Sequence, residues 1–224
     1  SNMFALKETV KQSIIKTPTF RQLSLDNVKN TPKTCIITGA SRGIGALLAK
    51  RLAENNYNVV IAAKSVKETD KLPGTIYSVA EEIISKGGVA LPVKTDIQNE
   101  KECENLVNET IKNFGKVDIL INNAGALWWK SIRETPIKRY DLINDINVRA
   151  SYMLSHLCLP YMEENNYGHI IMQSPPFNPE EVVDITNKRL LKNKTAYMIS
   201  KLGMSIVSKG ISQEYENKNI CSNT

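Results

Sequence analysis

The sequence is poor in the side chains that build metal centres and covalent scaffolds. Its four cysteines, Cys35, Cys103, Cys158 and Cys221, lie far apart. None has a neighbour at metal-ligand spacing, which excludes a zinc cluster and a disulfide framework. They read as reduced core or near-core residues of an intracellular protein. The two histidines, His156 and His169, also lack ligand partners, so no metal site is expected. No apolar run approaches the roughly 20 residues that cross a bilayer, and no signal-peptide apolar region is present. The net charge is +6, yet no dense block of Lys or Arg occurs. That argues against a nucleic-acid partner and leaves a basic surface suited to anionic ligands. The cytoplasm is the expected compartment, with mitochondria or peroxisomes as alternatives.

What the sequence has is a periodic alternation of strand-like and helix-like segments. Ser1-Asn2-Met3 reads as an expression scar. Residues Phe4 to Asn30 read as a mildly basic extension, either a helical arm or a loose leader; Glu8 and Asp26 weaken a transit-peptide reading. From position 31 the chain reads as one domain. The stretch Lys33 to Lys64 organises it. A short apolar run, Cys35 to Thr38, enters a glycine turn. Ile44, Leu47, Leu48 and Leu52 then recur at helical spacing, and Val59 to Ala63 form a second buried strand.

The turn of this βαβ unit carries Gly39, Gly43 and Gly45. Glycines let the backbone turn sharply and let a pyrophosphate approach it, while the helix that follows points unpaired N–H groups at the anion. Between two such strands the pattern points to dinucleotide binding, with Gly39, Ala40, Ser41, Arg42, Gly43, Ile44 and Gly45 as the cradle. An acid normally ends the second strand of such a unit and binds a ribose hydroxyl; here Ala62-Ala63-Lys64 stands instead. Lys64 and Arg42 flank the expected ribose and favour a 2′-phosphate, hence NADP(H) over NAD(H).

Further strands are expected at Val89–Thr95, Val117–Ile121 and Gly168–Gln173, with Asn219–Thr224 opening a sixth. Helices are expected through Tyr77–Ile84, over Glu100–Phe114, as one long helix Ile137–Glu163, and over Ala196–Tyr215. Alternation of this kind gives a Rossmann-type doubly wound parallel sheet with helices on both faces, an α/β/α three-layer fold. On the last helix Tyr197 and Lys201 stand one turn apart and share a face. A free phenol titrates near ~10, and a neighbouring ammonium favours the phenolate, which suits Tyr197 to acid/base work.

Thr38-Gly-Ala-Ser-Arg-Gly-Ile-Gly45, Asp96, Asn122-Asn-Ala-Gly125, Asn147 and Tyr197-x-x-x-Lys201, in this order, resemble the short-chain dehydrogenase/reductase family. Ala62-Ala-Lys64, Lys71-Leu-Pro-Gly-Thr-Ile-Tyr77 and Ser174-Pro-Pro176 resemble its hydroxysteroid-dehydrogenase-like subgroup. The resemblance implies that Asp96 meets the adenine, and that Asn123, Ala124 and Gly125 line the ribose and nicotinamide. It implies that Asn147 holds a relay water, that Lys201 binds the nicotinamide ribose, and that Tyr197 transfers the proton. It also implies a homodimer or homotetramer built on the two long helices. No sterol-carrier domain of the kind some members bear is expected.

Two departures from the family pattern stand out. The usual substrate-polarising serine falls on Pro175, with Ser174 one place early, and Ser174 precedes Tyr197 by twenty-three residues. The loop between them, Phe177 to Thr195, is about ten residues longer than the pattern. Either Ser174 rotates into the role, or Tyr197 alone polarises the carbonyl, or the site is weak. The family's last strand and substrate lid are also expected to be absent. Trp128 and Trp129 stand where a substrate wall belongs, or serve as loop packing or an oligomer contact. The expected function is hydride transfer between NADP(H) and a carbonyl or secondary alcohol of an apolar, steroid- or fatty-acyl-like substrate. The alternative is a dinucleotide-binding sensor or scaffold with little turnover.

Overall fold

A computed structural model describes residues 31–68, 73–174 and 191–224. The extension before position 31, Pro175, Pro176 and residues 177–190 of the long loop lie outside the described residues. Six strands form one sheet: β1 Thr34–Thr38, β2 Asn58–Ala63, β3 Val89–Lys94, β4 Ile119–Asn122, β5 Gly168–Met172 and β6 Ile220–Asn223. Every pairing is parallel, in the order β3-β2-β1-β4-β5-β6. This is the expected Rossmann-type architecture. The order reverses between β1 and β4, which opens a crevice at their carboxyl ends.

β1 is buried throughout because both sheet faces are covered. Its side chains alternate: Cys35 and Ile37 pack with α1 (Gly43–Glu54) and α2 (Ile76–Ser85), whereas Ile36 packs with the opposite layer. That layer holds α3 (Glu100–Phe114), α5 (Ala150–Glu164) and α6 (Thr195–Glu214). Each fully buried Ile contributes about 1.5–3 kcal/mol to folding. At the foot of the sheet, Thr34 N–H donates to Asp118 at 2.7 Å, and Lys116 pairs with the same carboxylate at 3.1 Å.

Two expectations need correction. Of the four apolar residues read along α1, Leu48 and Leu52 pack partly buried on the core, Ile44 and Leu47 are 59% and 57% exposed, and the fully buried face is Gly45, Ala46, Ala49 and Ala53. The glycine turn brings α1 so close to the sheet that only small residues fit between them. A Cβ on Gly45 would lie 2.5 Å from the Gly39 carbonyl oxygen. The single long helix is instead α4 (Ile137–Asn144), a π turn (Asp145–Arg149) and α5 in one run. The wider turn carries Asn147, whose side chain is fully buried.

Candidate functional site

The glycine turn has the geometry of an anion cradle. Gly39 and Gly43 adopt φ of +66° and +55°, values that a Cβ disfavours. Arg42 is the N-cap of α1 and is extended, with no side-chain cap bond, so the first N–H groups of the helix stay available. The Arg42 Nη2 donates to Ser65 Oγ at 2.9 Å and to the Gly74 carbonyl at 3.3 Å. Its Nε is buried without a hydrogen-bond partner, a donor that a bound anion could satisfy. These features fit a dinucleotide phosphate cradle. Lys64, at the end of β2, lies 3.8 Å from Asp96, a half-exposed pair worth little by itself. Asp96 also caps the Gln98 N–H at 3.2 Å.

The turn after β4 is sewn to the end of β1. Thr38 Oγ1 accepts the N–H groups of Asn123 and Ala124 at 3.1 and 3.0 Å, and Asn123 Nδ2 donates to the Thr38 carbonyl at 2.8 Å. Ala124 sits so close that a Cβ on Gly39 would meet its Cα at 2.9 Å. Thr38 is therefore the anchor of the crevice, a role its place in the glycine motif did not reveal.

The second half of the site is a cleft of about 380 Å³ lined by Asn123, Gly125, Leu127, Ser174, Tyr197 and Lys201. Lys201 is only 5% exposed and donates to the Gln173 carbonyl at 2.6 Å. Its Nζ lies 5.9 Å from the Tyr197 ring centre. Burial pulls the Lys201 ammonium below its ordinary value and pushes the Tyr197 phenol above its own. The expected lowering of the phenol by the ammonium is thus reversed, because desolvation of the phenolate dominates. Asn147 Nδ2 donates to Ser200 Oγ at 2.9 Å, and Ser200 Oγ donates to the Tyr197 carbonyl at 2.7 Å. Ser200 thereby ties the π turn to the helix carrying Tyr197 and Lys201, a link that the sequence pattern did not signal.

The Ser174 hydroxyl donates to the Lys201 carbonyl at 2.9 Å and lies 2.8 Å from Ser205 Oγ. Neither Trp128 nor Trp129, the residues read as a substrate wall, lines the cleft; Leu127, which the sequence reading did not name, does. Trp128 is stacked under Arg139 at 4.9 Å, and Trp129 lies 59% exposed beneath Lys194. Among the described residues no group of three metal-ligating side chains is found, and no helix is long and apolar enough to cross a membrane.

The short chain dehydrogenase model matches residues 33–224. The chain belongs to the short-chain dehydrogenase family. It is 43% identical over 185 residues to hydroxysteroid dehydrogenase-like protein 2 of Xenopus tropicalis, covering 83% of this chain and 43% of that one. The chain therefore spans less than half the length of the curated relatives it matches. A short-chain dehydrogenase from Mycobacterium thermoresistibile superposes with a TM-score of 0.75 at 42% identity, over 83% of this chain and 63% of that one. A metagenomic short-chain oxidoreductase in complex with NADP gives 0.73 at 26% identity, over 85% and 80% of the two chains. Both are folds of the same family.

Proposed function

We propose that this chain is an NADP(H)-dependent oxidoreductase acting on a carbonyl or secondary alcohol of an apolar, steroid- or fatty-acyl-like compound. The observation that carries this reading is the convergence of Tyr197, Lys201 and Ser174 on one cleft beside the glycine cradle. A nicotinamide dinucleotide, when bound, supplies the hydride chemistry. The amides from Ala40 to Ile44 hold the pyrophosphate, while Arg42 and Lys64 hold the 2′-phosphate. Asp96 faces the adenine, and Asn123, Ala124 and Gly125 form the floor under the ribose.

The Tyr197 phenol gives its proton to the carbonyl oxygen in reduction and takes it back in oxidation. Lys201 binds the ribose and keeps positive charge near that oxygen. Asn147 holds the proton path behind Lys201 in register. A turn about the Ser174 side chain brings its hydroxyl to the substrate oxygen, and Ser205 Oγ, 3.4 Å from the Lys201 carbonyl, takes its place there. The single domain over 31–224 carries all of this, in a reduced intracellular setting, cytoplasmic first, that suits its four free cysteines.

A second reading is a dinucleotide-binding module without turnover. It is favoured by the Ser174 hydroxyl, which is spent on α6 rather than offered to the cleft. Following NADPH absorbance with a panel of apolar ketones separates the two. Turnover that Tyr197→Phe abolishes supports the enzyme; no turnover of any ketone by the unmodified chain supports the module. We also infer a homodimer or homotetramer. The groove between α5 and α6 exposes Tyr152 and Ile206, each 63%, an apolar face suited to a second copy. A monomeric mass in light scattering would refute it.

A further inference from the structure

The loop between β4 and α4 carries an apolar surface with an unusual charge. Leu127, Trp129 and Ile132 are 57%, 59% and 76% exposed. Isolated exposed aliphatics are ordinary, but three within six residues form a patch that marks a binding surface. Leu127 also lines the cleft that holds Tyr197 and Lys201, so the loop that carries the exposed apolar residues borders the proposed reaction site. Cations are interleaved with it. Lys130 and Arg133 are exposed in the same loop, Lys194 stands 5.9 Å from the Trp129 ring centre, and Arg139 covers Trp128. The loop's one acid, Glu134, accepts from the Ser131 hydroxyl at 2.7 Å and is outnumbered.

We propose that this surface binds the substrate, and that the substrate is an anionic amphiphile: an apolar chain entering past Leu127, with a carboxylate or phosphate head held by Lys130, Arg133 and Lys194. A neutral sterol or ketone accounts for the apolar residues and makes no use of Lys130, Arg133 and Lys194. A free anion accounts for the cations and leaves the exposed aliphatics unexplained. An amphiphile matches both, because charge-assisted bonds hold the head while the chain covers apolar surface.

The inference rests on the oxidoreductase reading for the chemistry at Tyr197, but its binding step is testable alone. Hexadecanoate, hexadecyl phosphate and hexadecanol are titrated calorimetrically into the chain, each below its micelle concentration. The expected result is about tenfold tighter binding of at least one anion than of the alcohol, and comparison of the two anions identifies the head. Lys130→Glu with Arg133→Glu removes that advantage and leaves hexadecanol unchanged, whereas Trp129→Ala weakens all three. These side chains are exposed, and circular dichroism verifies the fold of each variant. Equal affinity for alcohol and anions, no binding of any, an unchanged preference in the charge-reversed variant, or binding only to anionic vesicles would each overturn the proposal. The last outcome would mark a membrane-docking surface instead. Turnover of neutral ketones is scored separately: amphiphile binding without any turnover fails the catalytic reading alone, and turnover without amphiphile binding fails this one.

Discussion

Asn147 and Ala126 hold each other by two reciprocal hydrogen bonds. The Ala126 N–H donates to Asn147 Oδ1 at 2.8 Å, and Asn147 Nδ2 donates to the Ala126 carbonyl at 3.0 Å. The pair clamps the turn after β4 against the π turn, and through Ser200 it reaches the helix of Tyr197. Replacing Asn147 by Leu strands buried donors and acceptors at both ends. The expected loss is about 2–4 kcal/mol of stability, read as a lower urea midpoint at unchanged slope. A loss of less than about 0.5 kcal/mol would show that the clamp holds nothing.

Glycine substitutions should differ in sign along the chain. Gly45→Ala puts a Cβ 2.5 Å from the Gly39 carbonyl and 2.6 Å from Asn123 Nδ2, which forces α1 off the sheet. We expect about 1–3 kcal/mol of destabilisation together with loss of dinucleotide binding. Gly210→Ala, inside α6 with no atom within 4 Å of the new Cβ, should instead stabilise by up to about 1 kcal/mol. Parallel urea titrations check both.

In the proposed mechanism Tyr197→Phe removes the proton carrier and keeps the ring. Turnover should fall by about 10²–10⁴-fold, with cofactor affinity unchanged within error. Residual turnover near that of the unmodified chain would transfer the acid/base role elsewhere.

The pH profile follows from burial. The Tyr197 phenol lies above its ordinary 10.0 because desolvation disfavours the phenolate. Ketone reduction uses the neutral phenol, so this group should leave the rate flat from pH 6 to about 10. Alcohol oxidation uses the phenolate, so its rate should climb about tenfold per pH unit with no plateau below 10. The same raised value makes the phenol's contribution to stability fully present below pH 10 and lost as pH climbs through the folded-state value. An oxidation plateau near neutrality would contradict this direction.

The parallel, doubly wound sheet and its βαβ start were legible because both are written in local spacing: three glycines within seven residues, and apolar runs of strand length alternating with helical periods. The buried face of α1 was not. Hydrophobicity favoured Ile44 and Leu47, while the close approach at Gly45 selected alanines. The roles of Thr38, Ser200 and Ser205 were hidden for another reason. Their partners lie 31 to 86 residues away, beyond any local pattern. The π turn at Asn147 is likewise set by its contact with Ala126 rather than by helix periodicity. The Tyr197–Lys201 spacing was readable, but the direction of the phenol's shift was not, because it depends on how deeply the folded chain buries the phenol.

The central claim is that the turn from Gly39 to Gly45 holds a dinucleotide and that Arg42 reads its 2′-phosphate. Calorimetric titration of the folded chain with NADPH and with NADH tests it most directly. The account predicts tighter binding of NADPH, with Arg42→Ala costing NADPH about ten- to a hundredfold and NADH little. Uptake of neither nucleotide by folded protein would contradict the claim outright, and tighter binding of NADH would contradict the part assigned to Arg42.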